Sequence, residues 1–197
     1  MRLWMIVPEP TLRALERGRV LVADGRRAIR DFRPAYRWMA DQMAMRLGPP
    51  PRRRAVPWWA WARWGGSRSG RPDLRCSAHL PRGTRGYRLT IEMPAEEVLL
   101  SDFDDWHFVL NGSYLTLDEA EWDAFWAEMD AAGHSAQWPY PEPFRTRAEA
   151  TWQRIFDLDR TGRDPAWCGT SEDQGIQATF WQLHADCVLK AEMFTAR

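Results

Sequence analysis

The stretch Arg2-Leu3-Trp4-Met5-Ile6-Val7-Pro8 begins the chain with a short apolar run that ends at a proline. Such a run, bounded by a turn-forming residue, predicts a buried β-strand. Leu12 and Leu15 follow at helical spacing, and Gly18 ends that segment. Residues 19–22 form a second short extended segment. A strand, a helix and a strand in this order favour a fold that mixes helices with a sheet.

The same patterns continue outward along the 197 residues. Apolar residues recur at helical spacing over 34–47, and residues that resemble capping boxes begin three later helices at Ser101, Thr116 and Thr146. Strands are predicted at 56–64, 87–93, 97–100, 176–183 and 187–194. The sequence therefore predicts an α+β fold, a single globular domain over residues 1–197 with a mixed or antiparallel sheet and about four to five helices.

Composition limits the class of protein. No stretch reaches the run of about 18 apolar residues that a membrane span needs, and the apolar start is too short for a secretory signal. Cys76, Cys168 and Cys187 form no CxxC pair, and the four histidines show no metal-ligand spacing. We expect a soluble, cytoplasmic protein with no membrane partner, no disulfide framework and no metal.

Charge is divided unevenly between the two halves. Residues 1–88 hold 20 basic and 6 acidic side chains, whereas residues 89–197 hold 7 and 21. Such asymmetry can indicate an anionic partner for the basic half, although the two halves can also neutralise each other.

The segment 46–88 concentrates the basic charge and interleaves it with tryptophans. Guanidinium groups neutralise phosphate and indole rings stack on bases, so this segment is a candidate surface for a nucleotide or nucleic acid. In it, Trp59 or Trp61 would stack a ring, and Arg63 and Arg75 would hold phosphate. The alternative is that the tryptophans belong to the core and the arginines pair with the acidic half.

A second cluster, residues 101–107, places two carboxylates near an imidazole. Asp102 and His107 are candidates for proton transfer. Helix capping explains the same residues as well, because aspartates in a first turn interact favourably with the positive end of a helix.

Several pieces of the chain resemble a bacterial family of uncharacterised proteins of about this length, along nearly the whole sequence. The matching pieces are Leu3-Trp4, Trp59-Ala60-Trp61, Arg71-Pro72-Asp73-Leu74-Arg75, Leu99-Leu100-Ser101-Asp102-Phe103, Trp106-His107, Ile155-Phe156-Asp157 and Ile176-Gln177-Ala178-Thr179-Phe180-Trp181. The resemblance brings no settled activity with it.

A fold-level resemblance to ADP-ribosyltransferases rests on the opening strand, helix and glycine before a small apolar strand. It implies a split β fold that holds NAD, stacks nicotinamide on an aromatic residue, and binds a ribose hydroxyl with a glutamate on a late strand. Gln177 and Thr179 would share one face of that strand. The chain departs from the pattern, because neither is a glutamate and Gln182 stands where family relatives carry one.

The predicted function is that of an NAD- or nucleotide-binding domain, an ADP-ribosyltransferase-like enzyme that modifies nucleic acid or protein. The alternative is a non-enzymatic module that binds nucleic acid or protein, as a regulatory, toxin–antitoxin or phage-related component. The candidate catalytic residues are Asp102, His107 and Gln177, and the candidate cofactor-binding residues are Trp59, Trp61, Arg63, Asp73, Arg75 and Thr179.

Overall fold

The computed structural model describes residues 1–77, 79–134 and 137–197. Contacts between residues divide the chain into two compact units, one formed by residues 1–100 and 175–197 and the other by residues 101–174. The predicted α+β class is confirmed, because the described residues form six α-helices and two open sheets. The single domain expected over residues 1–197 stays a prediction.

The first unit holds both sheets and two helices. The helices are α1 (Glu9–Glu16) and α2 (Arg33–Leu47). The strands are β1 (Arg2–Pro8), β2 (Leu21–Asp24), β3 (Ala55–Val56), β4 (Trp58–Arg63), β5 (Arg85–Glu92), β6 (Leu99–Asp102, whose last two residues belong to the second unit), β7 (Ile176–Phe180), β8 (Gln182–Leu183) and β9 (Val188–Thr195).

The larger sheet has the strand order β6-β7-β4-β1-β5-β9, and its registered pairs are antiparallel. Side chains alternate between the faces of a strand, so Leu3, Met5 and Val7 of β1 point to one face and are almost fully buried. Burial of such side chains contributes about 1.5–3 kcal/mol each. Trp4 and Ile6 point to the opposite face and are half-buried.

The smaller sheet has the order β3-β2-β8. Leu21 of β2 lies opposite Leu183 of β8, and Ala23 lies opposite Val56 of β3. The indole N–H of Trp58 donates to the carbonyl of Leu21 at 3.0 Å. This bond ties the first residue of β4 to β2 and thereby fixes β2 beside the larger sheet.

The second unit is helical. Its helices are α3 (Phe103–Leu110), α4 (Glu119–Ala131), α5 (Phe144–Thr151) and α6 (Pro165–Cys168), and a 3₁₀ segment covers Trp152–Phe156. Phe125 lies at the centre of an aromatic cluster and stacks on Tyr114 with a centroid distance of 4.2 Å. In the part of the chain that the structure describes, no helix is both long and apolar enough to cross a membrane.

Candidate functional site

Four of the predicted site residues lie on one face of the larger sheet. Trp59 of β4 pairs with Thr179 of β7, and Trp61 pairs with Gln177. Directly opposed residues of an antiparallel pair point to the same face, and residues two apart on one strand do so too. The register therefore brings together two candidate ring-stacking residues and the two candidate ribose-binding residues.

Gln177 and Thr179 differ in how their polar atoms are satisfied. The Thr179 hydroxyl is fully buried and donates to the carbonyl of Leu99 at 3.1 Å. The Gln177 side chain is 9% exposed, and its Oε1 is buried with no hydrogen-bond donor in the described chain. A buried acceptor left without a donor costs about 1–3 kcal/mol. Gln177 Oε1 is thus a group that a ligand hydroxyl could satisfy.

The remaining cofactor-binding candidates lie elsewhere on the first unit. A β-bulge between Trp61 and Arg63 shifts the register, so Arg63 pairs with Ile176. Asp73 accepts hydrogen bonds from the Arg75 guanidinium at 2.7–3.0 Å in an exposed loop. Those bonds lower the pKa of Asp73 to about 2. Arg75 is committed to its neighbour and is therefore a poorer phosphate ligand than the sequence indicates.

A cleft of about 900 Å³ opens beside Trp59. Clefts that bind small molecules typically have volumes of about 300–1,000 Å³. The lining comes from β1, α1, β2 with the residues on either side of it, the segment 52–57, and the start of β4. Tyr36 of α2 also lines the cleft, and its ring contacts the edge of Trp59 at a centroid distance of 6.0 Å.

Three arginines, Arg19, Arg27 and Arg52, line this cleft. Arg52 Nη2 donates to the carbonyl of Val22 at 2.8 Å, which anchors one end of its guanidinium at β2. The backbone N–H of Arg26 and the positive charges of Arg26, Arg52 and Arg27 hold the pKa of Asp24 below its usual value. The cleft therefore combines a cationic rim with an aromatic wall.

Trp59 is a predicted site residue that lines this cleft. The described lining does not include Arg63, Arg75, Gln177 or Thr179. Sequence reasoning missed Arg19, Arg27 and Tyr36. The basic residues that precede residue 46 are the signal that could have identified the two arginines. They lie outside the predicted candidate segment 46–88.

Asp102 and His107 belong to the second unit. Asp102 is fully buried and caps α3: its Oδ1 accepts from the N–H groups of Asp104 and Asp105. Its Oδ2 accepts from Arg160 at 2.8 Å and from the Gln174 amide at 2.7 Å. Helix capping thus accounts for the contacts of Oδ1, and a buried ion pair with Arg160 together with the Gln174 amide accounts for those of Oδ2.

His107 lies on the exposed side of α3. Its Nδ1 lies 2.9 Å from the carbonyl oxygen of Phe103, one turn earlier. The Phe103 ring meets the imidazole edge to face at a centroid distance of 4.7 Å. These contacts orient the ring on its own helix.

A second buried ion pair lies one turn along α3. Asp105 Oδ2 is 2.6 Å from Arg163 Nη1, and both side chains are almost inaccessible. Burial and the neighbouring Asp102 carboxylate outweigh the attraction of Arg163 and raise the pKa of Asp105 to about 6. Within the described residues, no group of three or more His, Cys, Asp or Glu side chains is placed to hold a metal ion.

Comparison with known proteins gives one match. A family model described as Domain of unknown function (DUF3841) matches residues 2–189. No curated protein and no solved structure matches the chain.

Proposed function

We propose that this chain, which belongs to the DUF3841 family of domains of unknown function, binds a nucleotide in the cleft beside Trp59, with NAD as the first candidate ligand. The observation that carries the proposal is the composition of the cleft. Three arginines, three aromatic side chains (Tyr36, Trp58 and Trp59) and one carboxylate, Asp24, line a cavity large enough for a small molecule. Phosphate and a planar ring are the two groups that these side chains recognise best.

Each part of the ligand has a partner in this arrangement. The guanidinium groups of Arg19, Arg27 and Arg52 hold the phosphates, which also relieves the mutual repulsion of three cations around one cleft. Tyr36 and Trp59 supply the wall on which a base or nicotinamide ring packs. Asp24 also lines the cleft, and the three arginines leave the lining with an excess of positive charge over this one carboxylate.

Gln177 lies on the same sheet face as Trp59 and Trp61, but its Oε1 is buried, so a sugar reaches it only if the side chain turns outward. A ribose hydroxyl would donate to Gln177 Oε1 and satisfy the buried acceptor. In an ADP-ribosyl transfer the C1′–N bond to nicotinamide breaks, neutral nicotinamide leaves, C1′ bonds to an acceptor, and the acceptor proton passes to solvent. Gln177 is uncharged, so it orients the ribose but supplies no negative charge to the developing cation.

Titration calorimetry with NAD, ADP-ribose and nicotinamide tests the binding. We expect NAD and ADP-ribose to bind through their phosphates, and Arg27→Gln to weaken both at least about tenfold, since a charge-assisted hydrogen bond contributes about 1.5–3 kcal/mol. Arg82→Gln is the matched control, because Arg82 is exposed and lies outside the cleft lining. Equal affinities in the two variants, or no binding to the native chain, would refute the proposal.

The non-enzymatic module remains the second candidate, because the acidic half satisfies its own arginines. Arg154 pairs with Glu121 and Arg160 pairs with Asp102, each at 2.8 Å, and Arg163 pairs with Asp105 at 2.6 Å. None of these three carboxylates pairs with Arg19, Arg27 or Arg52 in the described chain, so the cleft arginines stay available to an anionic surface. Transfer of label from NAD to protein or nucleic acid supports the enzyme, whereas salt-sensitive binding of nucleic acid with no turnover supports the module.

A further inference from the structure

A second cavity, of about 370 Å³, shares Tyr36 with the large cleft. Its lining consists of Gly25, Arg26, Ala28, Arg33, Tyr36, Arg37, Ala40, Arg54, Ala55 and Val56. Four of these residues are arginines, and the described lining contains no carboxylate. The floor is made of small apolar side chains. A cavity with this composition favours an anion with a compact body.

Backbone carbonyls hold the guanidinium of Arg33 at this cavity. Arg33 Nη2 donates to the carbonyl of Arg26 at 3.0 Å and Nε donates to that of Ala28 at 3.3 Å. The carbonyl of Arg54 accepts from the N–H of Gly25 at 3.1 Å, which joins the two edges of the cavity.

The conformation around Arg54 is unusual and the packing against Gly25 is close. Arg54 has a φ of 66°, a value that residues other than glycine rarely adopt. A Cβ at Gly25 would lie 3.0 Å from Val56 Cγ1. In the described chain, the guanidinium groups of Arg37 and Arg54 make no hydrogen bond or ion pair. Two cations are therefore presented to the cavity without a protein acceptor.

The two cavities share Ala28, Tyr36 and Val56 as a common wall. An extended ligand can thus pass from the arginines of the large cleft to those of the small cavity across one aromatic ring. The two phosphates of NAD are directly linked, whereas the phosphates of a single strand are separated by a nucleoside. Alternation of cationic sites with an aromatic ring is the pattern that single-stranded nucleic acid requires.

We infer that the small cavity is a second phosphate subsite and that the site takes single-stranded nucleic acid, with one phosphate in each cavity and a base against Tyr36. This inference rests on the proposed function, because it assigns the large cleft to the first nucleotide. A mononucleotide therefore occupies the large cleft and leaves the small cavity empty.

Fluorescence anisotropy with labelled oligo(dT), from the dinucleotide to the hexanucleotide, tests the inference. Affinity should rise sharply once the strand reaches the second cavity and change little after that. Arg37→Gln and Arg54→Gln should each reduce the slope of log affinity against log salt by about 0.7 for the longer strands. Both variants should bind NAD and ADP-ribose as the native chain does.

Arg82→Gln again controls for the loss of one positive charge. If it lowers the salt slope as much as Arg37→Gln does, the small cavity is no subsite and the inference fails. The same holds if affinity grows evenly with length. If Arg27→Gln loses NAD binding but the affinity for oligo(dT) shows no sharp rise with strand length, the proposed function stands and only this inference is overturned. If the native chain does not bind NAD, the proposed function itself is overturned.

Discussion

Replacement of Asp102 by asparagine separates a structural role from a catalytic one. The substitution keeps an oxygen for the two N–H groups at the start of α3, but it removes the negative charge beside Arg160, whose side chain is 7% exposed. Loss of one partner from a buried ion pair costs about 3–5 kcal/mol, because the other charge stays buried. Asp102→Ala should cost about 1 kcal/mol more through loss of the cap.

Urea denaturation measures this change, with the dependence on denaturant checked for a constant slope. Asp104→Asn is the control, because Asp104 is exposed in the same first turn and its charge is worth at most about 1 kcal/mol there. The double variant Asp102→Asn/Arg160→Met should be more stable than the sum of its single losses. A loss in Asp102→Asn no larger than that in Asp104→Asn would contradict the structural role and leave the carboxylate available for chemistry.

Two further predictions concern stability. The pKa of Asp105 rises from 3.8 to about 6 on folding, so the folded state holds this proton more tightly, and the free energy of unfolding falls by about 3 kcal/mol as the pH rises from about 4 to about 6. Asp105→Asn should flatten this pH dependence when denaturation is measured at several pH values. If the pH dependence is unchanged in the variant, other groups cause it. In Gly86→Ala, the new Cβ would lie 2.4 Å from Leu80 Cδ1 and 3.0 Å from Phe194 Cε1, so a loss of about 1–3 kcal/mol is expected in thermal unfolding. Addition of Leu80→Ala should recover most of it, and a persistent loss would place the strain in the backbone instead.

Periodicity predicted the main elements because their buried faces follow it closely. The apolar spacing over 34–47 corresponds to α2 at Arg33–Leu47, and the aromatic segment at 56–64 contains β4 at Trp58–Arg63. The predicted caps were wrong by one to three residues, and Thr146, the third of them, lies inside α5, which begins at Phe144 after Pro143. Asp102 and Asp118 cap α3 and α4, where the sequence indicated Ser101 and Thr116, because serine, threonine and aspartate can all accept the free N–H groups.

The site was less predictable because it depends on pairing between distant strands. The Trp61–Gln177 pair follows from the register of β4 against β7, which local sequence does not determine. Arg19 and Arg52 meet at the large cleft because β3 pairs with β2. The pairing of Arg75 with Asp73 is local, yet two residues that look like separate ligands in the sequence satisfy each other in the loop.

A nucleotide in the cleft lined by Arg19, Arg27, Arg52, Tyr36 and Trp59 would contact backbone segments on both sides of it. Hydrogen exchange of the backbone amides, measured with and without saturating NAD or ADP-ribose, reports the place of binding directly. We expect slower exchange in residues 19–28 and 52–59, with the rest of the exposed loops unchanged. Unchanged exchange in both segments, or protection confined to residues 101–174, would contradict it.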